Sequence, residues 1–475
     1  MSLTTNRPTG RRDLTEGSLT WSLFALSAPL MVQMAIQAVY NITDAFWLGR
    51  LSPVALTAPG VSMPFIFIVV ALAMGLGNGG AALVSQYVGA GRHGEADRAA
   101  GQTLLLLMLV CTLLSGTILL LARPLLALVQ APEEVAEVGG IYLRIFMLGT
   151  PFLAFKLAYG SALRALGDTL TVVYVSGAAS LLNVVLDPVF IFWLDMGVAG
   201  AAVASVISQF LAASACLALL VKGRAGLKLS LGDLKPDFRI LRQIFDIGLP
   251  AAVSMSSNTV GFAVFNVLIN SLGQSVIAAF TIGFRVTHFL AIPGQCMGLA
   301  AAPVVGQALG AGKPERARKA VRLSVLIVAL GTALPYALMM WQGRLVTRFF
   351  VDDPEVIQEA FRFFLIVPAS NYFFMVINVL SAAFYGSGHT RPIMVISLLR
   401  QWALRVPLAY LLGFVLGWAS IGVYVGMGVA NVLCAVLMIW VFLAGRWAKA
   451  VIAGPSEEDG EAAGGTAVEA PGTPG

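Results

Sequence analysis

The sequence predicts an all-α integral membrane protein whose twelve transmembrane helices form two pseudo-symmetric bundles of six. Composition is the first reason, because apolar residues make up 58% of the 475 residues and charged residues only 11%, against roughly 25% charged residues in a soluble domain. The second reason is a series of apolar stretches that reach the length of about 20 residues needed to cross a bilayer. The third reason is an internal repeat that divides the chain into two similar halves.

The repeat is clearest in a loop that contains glycine, alanine and glycine. The segment 85–100, SQYVGAGRHGEADRAA, returns 221 positions later as 306–320, GQALGAGKPERARKA, so that Gln86 becomes Gln307. Each copy follows a long apolar run. Duplicated membrane halves are typical of transporters, which place the substrate path between the two repeats.

In chain order, the pattern predicts five regions. A polar cytoplasmic segment, 1–19, precedes a first lobe of six spans, 20–221, and a basic cytoplasmic linker, 222–242, leads to a second lobe of six spans, 243–445. The tail, 446–475, is rich in glycine, proline and glutamate and is predicted to be disordered. The twelve spans are predicted at 20–48, 55–83, 101–122, 138–160, 171–192, 200–221, 243–270, 276–306, 321–342, 358–385, 393–413 and 421–445.

The arginines and lysines predict which helix ends face the cytoplasm. With the N-terminus inside, inner segments hold 20 of the 30 Lys and Arg residues, whereas outer loops hold four, namely Arg50, Arg123, Arg344 and Arg348. Since cytoplasmic loops carry the excess of these residues, we expect a multi-pass protein of the cell (inner) membrane with both termini in the cytoplasm. The same bias accounts for the net charge of +6, which gives no reason to expect a nucleic-acid partner.

Sequence motifs of enzymes are missing. The chain has no GxxxxGK[ST] nucleotide-binding loop, no HExxH and no nucleophile elbow. Its four cysteines are widely spaced, with no CxxC pair, at Cys111, Cys216, Cys296 and Cys434. We therefore expect no enzyme and no cofactor, and uphill transport would depend on an ion gradient. The expected partners are a small-molecule substrate and membrane lipids, with the protein itself a monomer.

Two acidic residues are predicted to lie deep in the membrane. Of 24 Asp and Glu residues, only Asp44 and Asp187 fall deep inside predicted spans. A carboxylate there costs about 2.5–3.5 kcal/mol on insertion scales, so its presence indicates a function. The 221-residue offset places Phe265 and Leu408 at the equivalent positions of the second half. The first lobe alone is therefore predicted to hold an ion site.

The acid of the first span lies on a polar helix face. Spacings of three and four residues place five polar side chains along one side of this helix, at Gln33, Gln37, Tyr40, Asn41 and Asp44. We expect Gln33, Gln37 and Asn41 to line the substrate cleft.

The acid of the fifth span follows an amide. Asn183 and Asp187 stand four residues apart on one helix face. Pro188 cannot donate a hydrogen bond to the carbonyl of Val184 and should bend the helix there. The freed carbonyl and the acids could bind a hard cation, or the two buried acids could bind a proton near neutral pH. The alternative is that the acids only satisfy buried helix contacts.

Together with the twelve spans and the repeat, two runs resemble a known family. The first-span run AVYNITDAFWLGRL and the fifth-span run LLNVVLDPVFIF look like the multidrug and toxic compound extrusion (MATE) transporters, and most like the prokaryotic branch named after DNA-damage-inducible protein F. The resemblance covers about residues 15–445. It implies two six-helix bundles that form a V-shaped cleft, which opens alternately to each side of the membrane. It also implies proton or sodium entry coupled to export of drugs or toxic organic compounds, often hydrophobic cations.

The resemblance assigns a cation-coupling site in the first lobe. The matching positions are Asp44, Asp187, Asn183, Tyr40 and Ser205. If the coupling ion is sodium, the metal ligands would come from Asp44, Asn183 and Asp187.

One position departs from the family pattern. Where relatives carry an asparagine four residues before the arginine of the loop between the fourth and fifth spans, this chain has Gly160 before Arg164. The missing amide ligand favours protons over sodium.

Two arginines in the eleventh span are further candidates for the cleft. Arg400 and Arg405 either form a positive feature of the second lobe or, for Arg400 in particular, reach toward the cytoplasm or backbone carbonyls. They keep open the alternative of a flippase for lipid-linked precursors from the same superfamily, since such flippases have a strongly cationic cavity. A passive pore or a membrane scaffold is the other alternative.

Overall fold

The structure is a computed structural model that describes residues 13–128, 132–223 and 226–452. Those residues form helices and no strand. The first half, the N-lobe, contains α1 (Leu19–Leu51), α2 (Pro53–Gly89), α3 (His93–Leu120), α4 (Ala122–Leu128), α5 (Glu133–Leu148), α6 (Thr150–Ala165), α7 (Thr169–Pro188) and α8 (Gly197–Val221). The second half, the C-lobe, contains α9 (Phe238–Asn270), α10 (Gln274–Gly310), α11 (Pro314–Arg348), α12 (Pro354–Ser387), α13 (Arg391–Leu398), α14 (Val406–Tyr410) and α15 (Ala419–Leu443).

Wider, π-helical turns extend two of these spans. One continues α7, and two flank α14, so that the eleventh span runs unbroken over Arg391–Val415. The π-helical segments are Val189–Trp193, Leu399–Arg405 and Leu411–Val415. Such segments are frequent at functional sites.

The predicted set of membrane spans is confirmed, with one change of shape. Within the described residues, eleven helical segments are long and apolar enough to cross a membrane, and a bent pair makes up to twelve. The bent pair is α5 and α6, which meet at 51° and replace the single straight span predicted at 138–160. The bend follows from Gly149 and Pro151, because Pro151 lies in the first turn of α6 and lacks the N–H that would continue α5.

Each lobe begins with a helix that packs on the other lobe. The start of α1 lies in a C-lobe core, where Leu23 and Leu26 are fully buried against α10 and α12. The equivalent start of α9 lies against α2, where Ile244 joins the N-lobe core. The two halves are therefore interlocked. The boundaries predicted at 20–221 and 243–445 separate the two repeats along the chain, but the start of each repeat packs against the other one.

The lobes meet most closely where α2 and α10 end. A Cβ on Gly89 would lie 2.0 Å from the carbonyl oxygen of Gln307, and a Cβ on Gly310 would lie 1.9 Å from that of Gln86. Only glycine permits backbones to approach so closely. The repeated loop seen in the sequence thus forms a symmetric contact that closes one end of the molecule.

The repeated glutamines fasten this closed end. The side-chain amide of Gln307 donates to the carbonyl of Ala165 at 2.9 Å, and that of Gln86 donates to the carbonyl of Gly386 at 3.0 Å. Each bond joins one lobe to the other. Since both side chains are fully buried, the bonds are protected from water.

Both described ends of the chain lie at this closed end. The Leu14 N–H donates to the side-chain oxygen of Gln307 at 3.0 Å, and the Val451 N–H donates to that of Gln86 at 2.8 Å. Trp447 is 2% exposed, so the start of the segment predicted to be a disordered tail, 446–452, is packed. Positions 453–475 lie outside the described residues.

The linker predicted at 222–242 is attached to the N-lobe. Gln102 of α3 donates to the carbonyls of Asp233 and Lys235 at 2.7 and 2.8 Å and accepts from the N–H of Asp237 at 2.9 Å. Asp237 then caps α9, which begins at Phe238 inside the predicted linker.

Candidate ion site and central cavity

Asp187 lies buried inside the N-lobe. Its side chain is 0% exposed, and neither carboxylate oxygen has a hydrogen-bond partner within the described residues. Asn183, one turn earlier on α7, is 2% exposed, and its side-chain oxygen is likewise unpartnered there. An ionised carboxylate in such surroundings is strongly destabilised unless a cation accompanies it. The site therefore suits a protonated acid or a bound cation.

Helices α1 and α8 bring the other predicted site residues next to α7. The hydroxyl of Ser205 lies 3.4 Å from the Tyr40 hydroxyl and accepts from the Asn183 amide, also at 3.4 Å. Asp44, one turn after Tyr40, is partly exposed and interacts electrostatically with Asp187. The five positions assigned by resemblance thus come together from three helices.

Pro188 changes the helix next to the acid. The α-helix ends at Pro188 and continues as the π-helical segment Val189–Trp193. Because proline cannot donate to the carbonyl one turn before it, the regular hydrogen-bond ladder stops at this residue. The predicted irregularity takes the form of a change in helix type.

Sequence reasoning missed Tyr142 of α5. This side chain is 2% exposed and lies near Tyr40, Asp44 and Asp187. The surrounding run GGIYLRI contains no polar neighbour at helical spacing. No signal in the sequence distinguishes it from a core tyrosine.

The other polar residues of α1 lie toward the surface. Gln37 and Asn41 are exposed and form a hydrogen bond of 3.2 Å with each other, and Gln33 is partly exposed. None of the three lines the cavity between the lobes.

That cavity lies between the two lobes. Its walls come from α1, α2 and α6 of the N-lobe and from α9, α10, α12, α15 and the eleventh span of the C-lobe. Polar side chains are contributed by both lobes, and the principal ones are Asn78, Arg164, Asn258, Gln295, Asn378, Tyr385 and Arg400. The cavity lining contains no Asp or Glu. Asp44 and Asp187 thus lie apart from it.

Arg400 is held rigidly at the cavity wall. Its guanidinium donates to the side-chain oxygens of Asn258 at 2.6 Å and Asn431 at 3.3 Å, and it stacks over the Phe374 ring at 4.6 Å. The side chain is only 4% exposed, and among the described residues its hydrogen bonds go to side-chain oxygens and not to backbone carbonyls.

Arg405 points into the C-lobe core. Its guanidinium lies 4.2 Å from the Phe265 ring and donates to the sulfur of Met427 at 3.0 Å, while its Nε is unpartnered among the described residues. It does not line the cavity. Of the two arginines, Arg400 lines this cavity and Arg405 does not.

Clusters of metal-binding side chains do not occur in the described part of the chain, in the sense of three or more His, Cys, Asp or Glu residues. A sodium ion would therefore depend on the two N-lobe acids together with amide, hydroxyl or carbonyl oxygens.

Comparison with known proteins adds an independent finding. The family model MatE matches residues 29–189 and again 250–411, so the family unit itself is repeated at the 221-residue offset found in the sequence. The two matches cover the helices that carry the acids and the arginines.

Relatives and solved structures cover nearly the whole chain. The chain is 28% identical to "Probable multidrug resistance protein YpnP" of Bacillus subtilis, over 92% of this chain and 97% of that protein. It is 25% identical to "FAD transporter" of Shewanella oneidensis, over 87% and 92% respectively. It also resembles a structure described as the outward-facing conformation of a multidrug resistance MATE family transporter, at 26% identity and a TM-score of 0.85, over 92% of this chain and 98% of that chain.

Proposed function

Because this chain belongs to the MATE family of membrane transporters, we propose that it is a secondary active antiporter. It exports hydrophobic organic compounds, including drugs, by alternating access, and it takes up a proton or a sodium ion in exchange. The names of its relatives support export of such compounds, although they include both multidrug resistance proteins and an FAD transporter.

The burial of Asp187 is the observation that supports ion coupling. A fully buried acid without a hydrogen-bond partner or a nearby cation within the described residues is costly as an anion and stable when neutral or ion-bound. A group of that kind changes its environment strongly when an ion binds or leaves. Asp44, Asn183, Tyr40 and Ser205 support it as the rest of the cation-coupling site.

The site favours a proton over sodium. The family resemblance implies an amide where this chain has Gly160, and the nearest side-chain atom to a Cβ there would belong to the Arg164 guanidinium, at 3.5 Å. A sodium ion would lack that amide ligand. A proton needs only the carboxylates.

The closed end of the molecule supports alternating access and the proposed orientation. The symmetric α2–α10 contact and both described chain ends lie together, and the basic loops of the sequence belong to the same end. We place this end, with both termini, in the cytoplasm. Breaking and remaking the contact between the lobes would open the cavity to that side.

One observation favours the flippase alternative. The cavity is lined by two arginines and by no acid, and a cationic cavity is a feature expected of flippases for lipid-linked precursors. The MatE match and the limit of twelve spans within the described residues support the antiporter.

Reconstituted flux tests the proposal. Proteoliposomes loaded with a fluorescent hydrophobic compound receive a pH gradient or a sodium gradient, in separate experiments with a matched membrane potential. We expect the pH gradient to drive movement of the compound and a protonophore to stop it. Movement driven by sodium alone would assign the other ion, and no gradient-driven movement would refute the antiporter.

A further inference from the structure

We propose that the central cavity selects organic anions with an apolar body, and that Arg164 and Arg400 bind the anionic group, such as a phosphate or a carboxylate. This inference rests on the proposed function, because it names the substrate class of the same transport path. It differs from the hydrophobic cations that the family resemblance suggests.

Arg400 supplies a positive charge that no acid among the described residues neutralises. Its partners are the amide oxygens of Asn258 and Asn431 and the face of Phe374. These contacts orient the guanidinium without cancelling its charge, since amides are neutral. A guanidinium fixed in place loses little freedom when it binds a phosphate or carboxylate.

Arg164 supplies a second charge from the opposite lobe. It lies on α6 and lines the cavity, and it forms no side-chain hydrogen bond or ion pair with the residues that the structure describes. Gly160, one turn earlier, lies against it, since a Cβ there would be 3.5 Å from the guanidinium. Its donors are therefore available to a ligand in the cavity.

The remaining lining matches an amphipathic molecule. Flexible and aromatic side chains form apolar walls that can adapt to a flat ring system; these are Met34, Met74, Met255, Leu299, Phe374 and Met438. The side chains of Asn78 and Gln295 form no hydrogen bond within the described residues, so they too can bind polar edges of a ligand.

The negative charges lie elsewhere. Asp44 and Asp187 belong to the N-lobe site and are absent from the cavity lining. A cationic substrate in the cavity would meet two guanidinium groups and no carboxylate, which is unfavourable in a site of low dielectric constant. An anion meets the complementary arrangement.

A matched pair of fluorescent ligands tests this inference. Riboflavin and riboflavin 5′-phosphate share one ring system and differ by a phosphate group. Their affinities are measured by flavin fluorescence quenching on the purified full-length protein at pH 8, without any ion gradient. We expect the phosphate to bind about tenfold or more tightly, since hydrogen bonds to charged groups are worth about 1.5–3 kcal/mol.

Variants of the two arginines test whether these residues cause the preference for the phosphate. Arg164→Gln should remove most of the preference and Arg164→Lys should retain part of it. Arg400→Gln should act in the same direction, and Arg164→Gln keeps the test decisive if Arg400→Gln folds poorly. Arg391→Gln is the control, because Arg391 is exposed at the start of the same span and does not line the cavity.

Each possible result either supports or contradicts the anion site. Equal affinities in the wild-type protein, or a preference that survives Arg164→Gln and Arg400→Gln, would overturn the inference. If short-chain phosphatidic acid shows an arginine-dependent preference and riboflavin phosphate shows none, the anion site is retained and its source is a lipid. Because no gradient is used, the preference can persist even if ion-driven transport fails.

Discussion

Helix α7 of the N-lobe and the Arg391–Val415 span of the C-lobe occupy equivalent places in the repeat, yet one carries a buried acid and the other carries buried arginines. At the 221-residue offset, Asp187 corresponds to Leu408, and Arg400 corresponds to Ala179. Neither lobe neutralises its own buried charge with an opposite one among the described residues.

The backbones differ along with the charges. Both spans contain a π-helical segment near the end of the apolar run, Val189–Trp193 in one lobe and Leu411–Val415 in the other. The C-lobe has an additional one at Leu399–Arg405, which contains both arginines, whereas the equivalent part of α7 is α-helical. After duplication, the same span acquired different geometry in the two lobes.

This difference indicates a division of roles between the lobes. The acid is buried inside one bundle and does not line the cavity. Arg400 faces the cavity, where a substrate can contact it. If the proposed function holds, with the ion at Asp187 and the substrate at Arg400, coupling has to pass through movement of the helices, because the two ligands share no side chain.

The largest expected effect comes from neutralising the acid of α7. Asp187→Asn should keep the protein folded and reduce gradient-driven efflux to background, because the amide retains the shape of the acid but cannot bind and release a proton. Asp44→Asn should also impair efflux. The measurement is efflux from proteoliposomes, with thermal unfolding of the purified variants as the check on folding.

Asp246→Asn is the matched control for this substitution. Asp246 lies on α9 with its side chain 58% exposed, next to Arg242, so its neutralisation should leave efflux unchanged. Export at the wild-type rate by both Asp44→Asn and Asp187→Asn would show that the ion site is elsewhere.

Some residues of this site can be identified from the sequence, and others cannot. Asp187 and Asp44 stand out because a charge in an apolar run is costly, and Asn183 stands out by its helical spacing. Ser205 came from the family resemblance. Tyr142 gives no signal, because only tertiary packing brings α5 beside α1 and α7.

The fold shows a similar limit. Hydrophobic length predicts the spans, since each must cross the same bilayer. It does not predict the break between α5 and α6, where Gly149 and Pro151 act locally. It also does not predict that α1 and α9 begin against the opposite lobes, because that packing depends on contacts distant in the chain.

A smaller effect is expected from Arg405, the arginine that the cavity does not contact. Arg405→Met should leave efflux intact and leave the unfolding temperature unchanged or higher. Removing a buried charge without an acidic partner is neutral or stabilising by about 1–4 kcal/mol, which offsets the loss of the contact with Phe265, at about 2 kcal/mol.

Arg405→Lys sharpens the same test. Lysine keeps the charge but loses the planar group that stacks on the ring, so this variant should unfold at a lower temperature than both the wild-type protein and Arg405→Met. A loss of efflux in a well-folded Arg405→Met variant would show that this residue has a role in transport. Arg405 would then not differ from Arg400 in function.

The smallest effect is expected at the hydroxyl that joins α1 to α7 through α8. Ser205→Ala removes the two 3.4 Å contacts to Tyr40 and Asn183. Hydrogen bonds contribute about 0.5–1.5 kcal/mol each, and bonds this long fall at the low end, so ion affinity should weaken by a factor of about two to ten. The pH for half-maximal efflux should therefore shift to lower values without a loss of maximal rate.

Ser208→Ala is the control, since Ser208 is equally buried on α8 and its hydroxyl has no partner among the described residues. Equal shifts in both variants would mean that α8 acts only by packing, whereas abolished efflux in Ser205→Ala would make its hydroxyl a direct ion ligand.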